Sequence, residues 1–381
     1  MPNLPSRPEP RAAYFRRVIA RLLPIFTLIT VLTAIDAHAQ NKTATQLQAM
    51  FQARSFTSSQ ITMVYRLYVP TGYDSTMKYP VVVALHGVGE RGNNNVNQLT
   101  LEELAQPWVR DSVQAKHPHF VMVPQCPSTN SQYWWPWGSW AGTWSGMWSG
   151  TRSNANTGII SILDSLKREF SLDTTRFYVA GLSMGGFGTF ELMKWNPNVF
   201  AAAVPAAGGA DTAPASIQNY SATPFWAFHG AADPTINVNA GSRKIVNKVE
   251  TLRGKPFVRF VSSASLATPT AISADSLRKE VYVSHADFLY SEITGGVHNS
   301  GWLEAWRHPM LTDWVFSKQK INGVTVSVNP GSVERSPLKA KAQLELHNGM
   351  LALRKSDQGG DMWYTLAGKK MGLFEKAQNR P

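Results

Sequence analysis

Residues 181–186 have the sequence GLSMGG, and they stand between the strand-like segment RFYVA and the helical segment FGTFELMKW. This spelling and setting are typical of the nucleophile elbow, a turn from strand to helix that presents a reactive serine. The turn is so tight that the serine backbone is strained and side chains two positions to either side would collide, which explains the glycines. The sequence therefore predicts Ser183 as a catalytic nucleophile.

A base and an orienting acid should accompany this serine, because a hydroxyl is a weak nucleophile near neutral pH. In a chain of this kind they follow in the order serine, acid, histidine. The segment HGAADP places Asp233 beyond one strand-like run, and GGVHNSGW places His298 beyond another. We expect His298 to take the Ser183 proton and return it to the leaving group, while Asp233 holds the imidazole in the required tautomer.

Another acid and other histidines compete for these roles. Asp211 follows the preceding strand and is the rival acid, although acids near strand ends often serve as turn or cap residues. His86 and His229 each precede a glycine at a strand end, where we expect a structural histidine bonded to the backbone. His285 and His308 stand in contexts that do not favour catalysis.

Backbone N–H donors should stabilise the negative charge that develops on the substrate oxygen. The Met184 N–H, at the start of the helix after the serine, is the first expected donor. The second should come from the loop HGVGERG, whose small residues let the backbone approach the substrate. Val88 is the preferred donor in this loop, and Gly89 is the second choice.

Strand-like and helical segments alternate along most of the chain. The apolar runs MVYRLYV, YPVVVALHG and HFVMVPQCP indicate buried strands, and GWLEAWRHPMLTDWVF has the pattern of one last amphipathic helix. The segment NTGIISILDSLKREF places four apolar side chains on one helical face, namely Ile159, Leu163, Leu166 and Phe170. This alternation predicts an α/β fold, in which a mostly parallel sheet carries helices on both faces.

Composition narrows the class of protein. The 381 residues are 43% hydrophobic, enough for a large core, and the single Cys126 excludes an intrachain disulfide. The formal net charge is +12, but residues 1–39 contribute five arginines against two acids, and residues 318–381 contribute eleven basic residues against five acids. Only +3 remains for the rest of the chain, so we expect no nucleic-acid groove.

The two ends of the chain have their own patterns. Residues 1–39 read as a signal peptide, with arginines, then the apolar run LLPIFTLITVLTAI, then small residues that favour cleavage near Ala39. The run is short for a spanning helix, so we expect export to the periplasm or the medium without a stable membrane anchor. A catalytic domain over residues 40–317 then precedes a basic linker and tail over residues 318–381, a candidate sorting or attachment segment with a few short strands.

Six tryptophans stand close together in YWWPWGSWAGTWSGMW, residues 133–148. The stretch follows a predicted strand, so in a parallel sheet it lies at the same edge as the predicted catalytic residues. One interpretation is a small hydrophobic cluster under the loop. The other, which we adopt as a prediction, is that Trp140, Trp144 and Trp148 bind substrate by stacking on sugar rings or a phenolic acyl group.

Five motifs in the order LHGVGERGNNN, VPQCP, GLSMGG, HGAADP and GGVHNSGW resemble those of secreted α/β-hydrolase-fold serine esterases. The nearest likenesses are the feruloyl and acetylxylan esterases and the phospholipase-like and prolyl-oligopeptidase-like hydrolases related to them. The resemblance covers about residues 60–317. It implies the α/β-hydrolase fold and an enzyme that uses no metal and no organic cofactor, in agreement with the lack of any metal-ligand spacing in the sequence.

These features together predict a secreted carboxylic ester hydrolase that acts through an acyl-enzyme on acetyl or feruloyl esters of plant polysaccharide. Two alternatives are other hydrolases, a prolyl-oligopeptidase-type peptidase and a lipid or polyester esterase. The segment before residue 60 is too short for the propeller that restricts such peptidases to short peptides. The alternative of another class is a noncatalytic carbohydrate-binding protein that uses its tryptophans.

Overall fold

The computed structural model describes residues 41–128, 151–263 and 286–327, together with four strands between residues 342 and 374. The chain divides into two compact units, residues 1–41 and residues 42–381, and all the elements below belong to the second. The predicted signal peptide and the tryptophan-rich stretch lie outside the described residues, as does His285.

The main sheet takes its strands from the first part of the second unit. They are β1 Gln52–Thr57, β2 Thr62–Tyr68, β3 Tyr79–Leu85, β4 Phe120–Pro124, β5 Leu172–Leu182, β6 Ala202–Ala206, β7 Phe225–Gly230, β8 Val258–Ser263 and β9 Phe288–Thr294. The helices that connect or flank them are α1 Ala44–Met50, α2 Asn97–Thr100, α3 Gln106–Val109, α4 Asp111–Lys116, α5 Asn154–Glu169, α6 Met184–Trp195, α7 Pro214–Ser221, α8 Ser242–Arg253, α9 Ser300–Arg307 and α10 Leu311–Phe316.

The main sheet is mostly parallel, as the alternation of segments predicts. The strand order is β1-β2-β4-β3-β5-β6-β7-β9-β8. Strand β2 pairs antiparallel with β1 and β4, whereas the other neighbouring pairs run parallel. The prediction of an α/β fold is therefore confirmed. Loops that follow β3, β5, β7 and β9 emerge at one edge, which is where open α/β sheets bind ligands.

Strand β3 shows why the central strands are continuous apolar runs. Val81, Val83 and Leu85 pack into one hydrophobic core cluster, whereas Val82 and Ala84 pack into a second cluster. Alternate residues of a strand point to opposite faces, so the two clusters are the two core layers of the protein. Both faces of β3 are covered, which a parallel sheet requires.

Helix α5 has the predicted apolar face, and its first turn is capped by a serine side chain. The Ser153 hydroxyl accepts a hydrogen bond from the Asn156 N–H at 3.1 Å and caps the first turn. Ile159, Leu163 and Leu166 are buried against the sheet. The fourth predicted residue of this face lies just past the helix end, half-buried against the same core cluster.

The prediction of one last helix is wrong, because the segment forms α9 and α10 with a break at residues 308–310. Pro309 is the physical cause. It lacks the backbone N–H that a continuous helix needs, and its ring disfavours helical backbone at the residue before it. His308 accordingly has φ −66° and ψ 123°.

The last described elements are antiparallel. Strands β10 Lys318–Ile321 and β11 Val324–Ser327 form a hairpin whose turn residues Asn322 and Gly323 have φ of 50° and 80°. This is the Asn-Gly turn that favours two-residue hairpins. A separate four-stranded sheet follows, in agreement with the short strands predicted for the tail. Its strands are β12 Ala342–His347, β13 Met350–Asp357, β14 Gly360–Thr365 and β15 Lys370–Phe374.

Candidate active site

Ser183 occupies the strained turn that the sequence predicts. It lies between β5 and α6 with φ 49° and ψ −114°, a conformation that residues other than glycine rarely adopt. Its N–H donates to the Ala206 carbonyl at 2.9 Å, which fixes the turn against the end of β6. The elements on both sides of the turn are buried, so the surrounding core holds the serine in this conformation.

Two glycines of the motif are required by close backbone contacts. A Cβ atom added at Gly181 would lie 2.2 Å from the Gly185 carbonyl oxygen. A Cβ atom added at Gly185 would lie 1.9 Å from the carbonyl oxygen of Leu85, at the end of β3. Atoms cannot approach to these distances without displacement of the backbone, so only glycine lets the turn, the helix and the neighbouring strand meet.

The structure brings Ser183, His298 and Asp233 together. The His298 Nε2 atom lies 2.9 Å from the Ser183 hydroxyl oxygen, and the His298 Nδ1 atom lies 2.7 Å from Asp233 Oδ2. The loops that carry these residues follow β5, β9 and β7, three strands whose carboxyl ends share one edge of the sheet. A serine hydroxyl, an imidazole and a carboxylate are thus in direct hydrogen-bond contact.

Asp233 is built to remain ionised. Burial alone would raise the pKa of this carboxyl group, but hydrogen bonds from the His229 and His298 rings and from the Ile236 N–H outweigh it and hold the pKa well below its usual range. Asp233 Oδ1 accepts from the backbone N–H groups of Thr235 and Ile236 at 2.8 and 2.9 Å. Asp233 therefore presents a negative charge to His298 from mildly acidic pH upward.

The rival acid Asp211 has a different place. Its carboxylate accepts hydrogen bonds from the Ala213 N–H at 3.0 Å and from the Ser216 hydroxyl at 2.6 Å, at the start of α7. It also pairs with the Lys194 ammonium at 2.9 Å. Burial raises the pKa of Asp211, but the hydrogen bonds from Ser216, Ala213 and Lys194 lower it by more. Asp211 thus anchors the turn that leads into α7 and pairs with Lys194 of α6.

His86 holds the loop after β3 in place. Its Nδ1 atom lies 2.6 Å from the Gly87 carbonyl oxygen, and its Nε2 atom accepts a hydrogen bond from the Cys126 N–H at 2.8 Å. Burial lowers the pKa of His86 to about 3, so the ring is neutral. His308 is also buried and packs edge to face on Trp226, with ring centroids 4.5 Å apart.

The loop after β3 also lies close to Ser183. Val88 is the first residue of a short 3₁₀ turn, and a Cβ atom added at the preceding Gly87 would lie 3.8 Å from Ser183 Cβ. Met184 is the first residue of α6, where N–H groups lack an acceptor within the helix. The loop that carries the Val88 amide and the helix that begins with the Met184 amide therefore flank Ser183 closely, and both amides remain predicted oxyanion donors.

Glu90 lies beneath this loop. Burial and the nearby charge of Glu102 raise its pKa, against the hydrogen bonds from the Gly87 and Glu90 N–H groups, which lower it. Its carboxylate thus reaches back from the end of the short 3₁₀ turn to the Gly87 N–H at its start.

Two residues beside the candidate site have contacts that the sequence reasoning did not predict. His229 Nε2 lies 3.2 Å from Asp233 Oδ2, so a second imidazole faces the acid. Trp302, on α9, meets the His298 ring edge to face. The four-residue spacing of histidine and aspartate in HGAADP, and that of histidine and tryptophan in HNSGW, are the sequence signals that point to these contacts.

Metal and membrane features can be assessed for the described residues. Within the ranges given above, no group of three or more His, Cys, Asp or Glu side chains is arranged to hold a metal ion. No helix in that same part of the chain has both the length and the apolar character needed to cross a membrane. Trp140, Trp144 and Trp148, the predicted substrate-binding residues, lie outside the described residues.

A mostly parallel sheet with a strained serine at a strand-to-helix turn defines an α/β-hydrolase-fold protein. Residues 57–307, more than half of the chain, match the profile of the protein family described as "Putative esterase", and the chain belongs to this family. The matched residues include Ser183, Asp233 and His298.

Individual relatives agree with this family. The chain is 29% identical over 168 residues, 44% of its length, to poly(3-hydroxyalkanoate) depolymerase C from Paucimonas lemoignei, and the match covers 36% of that protein. It is 34% identical over 83 residues, 21% of its length, to a bifunctional acetylxylan esterase/xylanase from Neocallimastix patriciarum, of which the match covers 12%. The chain thus spans well under half of either relative.

A solved structure is similar over a larger part of the chain. It is the crystal structure of a thermostable esterase, with a TM-score of 0.56 and 28% sequence identity. The similarity covers 72% of this chain and 64% of the other. It agrees with both the fold and the esterase family.

Proposed function

We propose that the protein hydrolyses carboxylic esters through a catalytic triad of Ser183, His298 and Asp233 and a covalent acyl-enzyme. The observation that carries this proposal is the position of His298, whose two ring nitrogens lie 2.9 Å from the Ser183 hydroxyl and 2.7 Å from the Asp233 carboxylate. This is the arrangement in which an imidazole takes a proton from a nucleophile while a carboxylate fixes its tautomer.

In the acylation step, His298 Nε2 takes the Ser183 proton as the serine oxygen attacks the ester carbonyl carbon. The Nδ1–H bond to Asp233 stabilises the imidazolium that forms, and the Met184 and Val88 amides are the proposed donors to the oxyanion. The imidazolium then protonates the departing alkoxide, and the alcohol leaves. Water repeats the sequence on the acyl-enzyme, with His298 as base, and releases the carboxylic acid.

The proposed substrates are acetyl or feruloyl esters of plant polysaccharide. The similarity to a bifunctional acetylxylan esterase/xylanase supports an acetylated polysaccharide. The predicted stacking of Trp140, Trp144 and Trp148 would add a platform for sugar or phenolic rings next to the carboxyl edge of the sheet. We also propose export through the leader near Ala39, because polymeric plant substrates lie outside the cell.

A polyester is the second candidate substrate. The match to a poly(3-hydroxyalkanoate) depolymerase, which is longer than the match to the xylan enzyme, favours it. Two exposed apolar side chains beside the proposed triad also favour a polyester. Val88, on the loop after β3, is 52% exposed, and Val297, next to His298, is 43% exposed. An apolar polymer would cover both side chains, whereas a hydrated sugar chain would gain less from them.

Product release distinguishes the two candidates. The purified protein and its Ser183→Ala variant are incubated in parallel with acetylated, feruloylated arabinoxylan, with poly(3-hydroxybutyrate) particles and with p-nitrophenyl acetate. Acetate or ferulate release that the variant lacks would support the polysaccharide proposal. Release of 3-hydroxybutyrate alone would support the polyester, and equal rates for variant and native protein on every ester would contradict the proposed nucleophile.

The proposed catalytic domain includes the hairpin of β10 and β11 and so extends to Ser327 rather than ending at residue 317. Lys318 and Lys320 are buried, and the Tyr178 hydroxyl of β5 donates to the Lys318 carbonyl at 2.7 Å. These contacts are of the kind found inside one folding unit. The basic segment after Ser327 remains the proposed sorting or attachment segment.

A further inference from the structure

The Asp233 carboxylate faces two imidazoles. Its Oδ2 atom lies 2.7 Å from His298 Nδ1 and 3.2 Å from His229 Nε2. The proposed mechanism uses His298 alone, so the second ring has no role in it. His229 is fully buried, and burial of a polar ring costs free energy unless its nitrogen atoms form hydrogen bonds.

The contacts of His229 define its tautomer. Its Nε2 atom faces two acceptors, Asp233 Oδ2 and the Ile236 carbonyl oxygen, the latter at 2.9 Å. Nε2 therefore carries the proton. The Nδ1 atom lies 2.8 Å from the Ser242 hydroxyl oxygen.

The ring also has no room to turn. Ser242 is the first residue of α8, and its hydroxyl oxygen also lies 3.2 Å from the Gly208 carbonyl oxygen. A Cβ atom added at the adjacent Gly241 would lie 2.9 Å from His229 Cε1 and 2.7 Å from the same carbonyl. The start of α8 thus closes on the His229 ring and holds its Nε2–H towards the acid.

We propose that His229 is a positioning residue that acts on His298 through Asp233, an inference that rests on the proposed triad. Its Nε2–H holds the carboxylate in the plane that directs Oδ2 at His298. The Thr235 and Ile236 amides hold Oδ1 at 2.8 and 2.9 Å, so the carboxylate is fixed at both oxygens. The same Nε2–H withdraws part of the carboxylate charge and thereby lowers the basicity of His298.

The first test compares His229→Phe with His229→Gln. Phenylalanine keeps a planar ring and removes the donor, whereas glutamine offers a side-chain N–H at a similar distance from the backbone. For hydrolysis of p-nitrophenyl acetate we expect His229→Phe to lower kcat roughly 10-fold or more with KM unchanged. The acidic limb of its kcat/KM profile should move to higher pH, because the carboxylate that has lost a donor stabilises the His298 imidazolium more strongly. His229→Gln should restore most of kcat and the native limb.

A purely structural role for His229 predicts a different result. Both variants would then lose activity only in proportion to the folded fraction, and the acidic limb would stay where it is in the native protein. That outcome would overturn the inference. If Ser183→Ala is inactive in the same assay, the proposed triad would stand; if Ser183→Ala is fully active, the proposed function itself fails.

Ser242→Ala keeps the test decisive if His229→Phe does not fold. This variant retains the His229 ring and removes only the hydroxyl that anchors Nδ1, so it disturbs packing less. We expect a smaller loss of kcat, roughly 3-fold, as the ring gains freedom and holds the carboxylate less well. A native kcat and a native pH profile for Ser242→Ala would overturn the inference.

Discussion

The indole of Trp302 meets the imidazole of His298 edge to face, with the ring centroids 5.0 Å apart and the ring planes at 89°. The indole N–H donates to Glu102 Oε2 at 2.9 Å, so the tryptophan is itself fixed from a distant part of the chain. The backbone of Glu102 has φ 57°, a conformation that is uncommon for residues other than glycine. The proposed base thus rests on α9, the helix that follows it, as well as on Asp233.

Replacement of Trp302 should affect both stability and turnover. Trp302→Ala removes a buried ring and should destabilise the fold by about 3–5 kcal/mol, while the His298 ring loses its support. We expect its kcat, corrected for folded protein, to fall roughly 10-fold. Trp302→Phe keeps an aromatic edge at the same place and should retain more than half of the native kcat. Urea unfolding and steady-state kinetics measure both effects, and equal kcat for the two variants would contradict the supporting role.

Asp233 and Asp211 offer a matched pair of substitutions. Asp233→Asn keeps the shape but favours the wrong tautomer of His298, so kcat should fall on the order of 10⁴-fold. Asp211→Asn keeps a side-chain oxygen that can accept a hydrogen bond and weakens mainly the Lys194 ion pair, so it should cost up to about 1 kcal/mol of stability with kcat within about 2-fold of native. The rates of ester hydrolysis decide the matter. A larger loss for Asp211→Asn than for Asp233→Asn would exchange their roles.

An added methyl group should strongly destabilise the protein at Gly185 and leave its stability nearly unchanged at Gly89. Gly185→Ala forces a Cβ atom to within 1.9 Å of the Leu85 carbonyl oxygen, and we expect a loss of more than about 4 kcal/mol or insoluble protein. Gly89→Ala is the control, since an added Cβ there meets nothing within 4 Å and the backbone needs no left-handed φ. Its stability should stay within about 0.5 kcal/mol of native. Melting temperatures measured side by side test the contrast, which two equal shifts would refute.

The buried ammonium of Lys320 should make stability depend on pH in the alkaline range. Burial lowers the pKa of Lys320 from 10.5 to about 8 in the folded protein. Below pH 8 the group is charged in both the folded and the unfolded state, and folding bears the full cost of burying the charge. Between about pH 8 and pH 10.5 the folded state releases the proton while the unfolded state keeps it, so this cost declines as pH rises.

The measurement is the difference in unfolding free energy between the native protein and Lys320→Met. That difference should move in favour of the native protein as the pH rises from 8 to 10.5. A difference that is constant across this range would show that the pKa of Lys320 is not lowered. A Lys248→Met variant, on the exposed face of α8, controls for the general effect of removing one positive charge.

The apolar side chains beside the proposed triad should contribute to substrate binding. Val88→Ser and Val297→Ser remove apolar contact without changing the backbone amides, so each should raise KM roughly 3-fold or more for an ester with a long acyl chain, with little change for p-nitrophenyl acetate. Leu252→Ser is the matched control, because Leu252 is 48% exposed on α8. If KM for the long-chain ester is unchanged in both valine variants, these side chains do not contribute to substrate binding.

The elbow and the general fold could be predicted from sequence because their determinants are local. The glycines of GLSMGG are needed because an added Cβ atom would collide with backbone atoms of the same turn or of a neighbouring strand. The apolar runs of β3 to β7 are visible because both faces of these strands are buried. Asp233 and His298 follow from chain order and from their position after such strands.

Features that depend on distant or exposed residues could not be predicted in the same way. Strand β1 is an edge strand whose side chains are exposed or half-buried, so it lacks a hydrophobic pattern and joins the sheet through backbone pairing with β2. The sequence predicts a backbone hydrogen bond for His229, and the Ile236 carbonyl at 2.9 Å confirms it. Its approach to Asp233 depends on how the turn after β7 folds back, which the residue types alone do not specify.

The position of Lys320 after the loops that it contacts sets an order of events during synthesis. Its ammonium donates to the carbonyl oxygens of Pro197, Phe200 and Ala222, in loops made more than ninety residues earlier. A ribosome-bound chain that has not yet reached β10 leaves these carbonyls without their partner and the last core contacts unmade. Completion of the fold is therefore delayed until β10 has been made, and a nascent polypeptide released before that point would be a ready substrate for quality-control proteases.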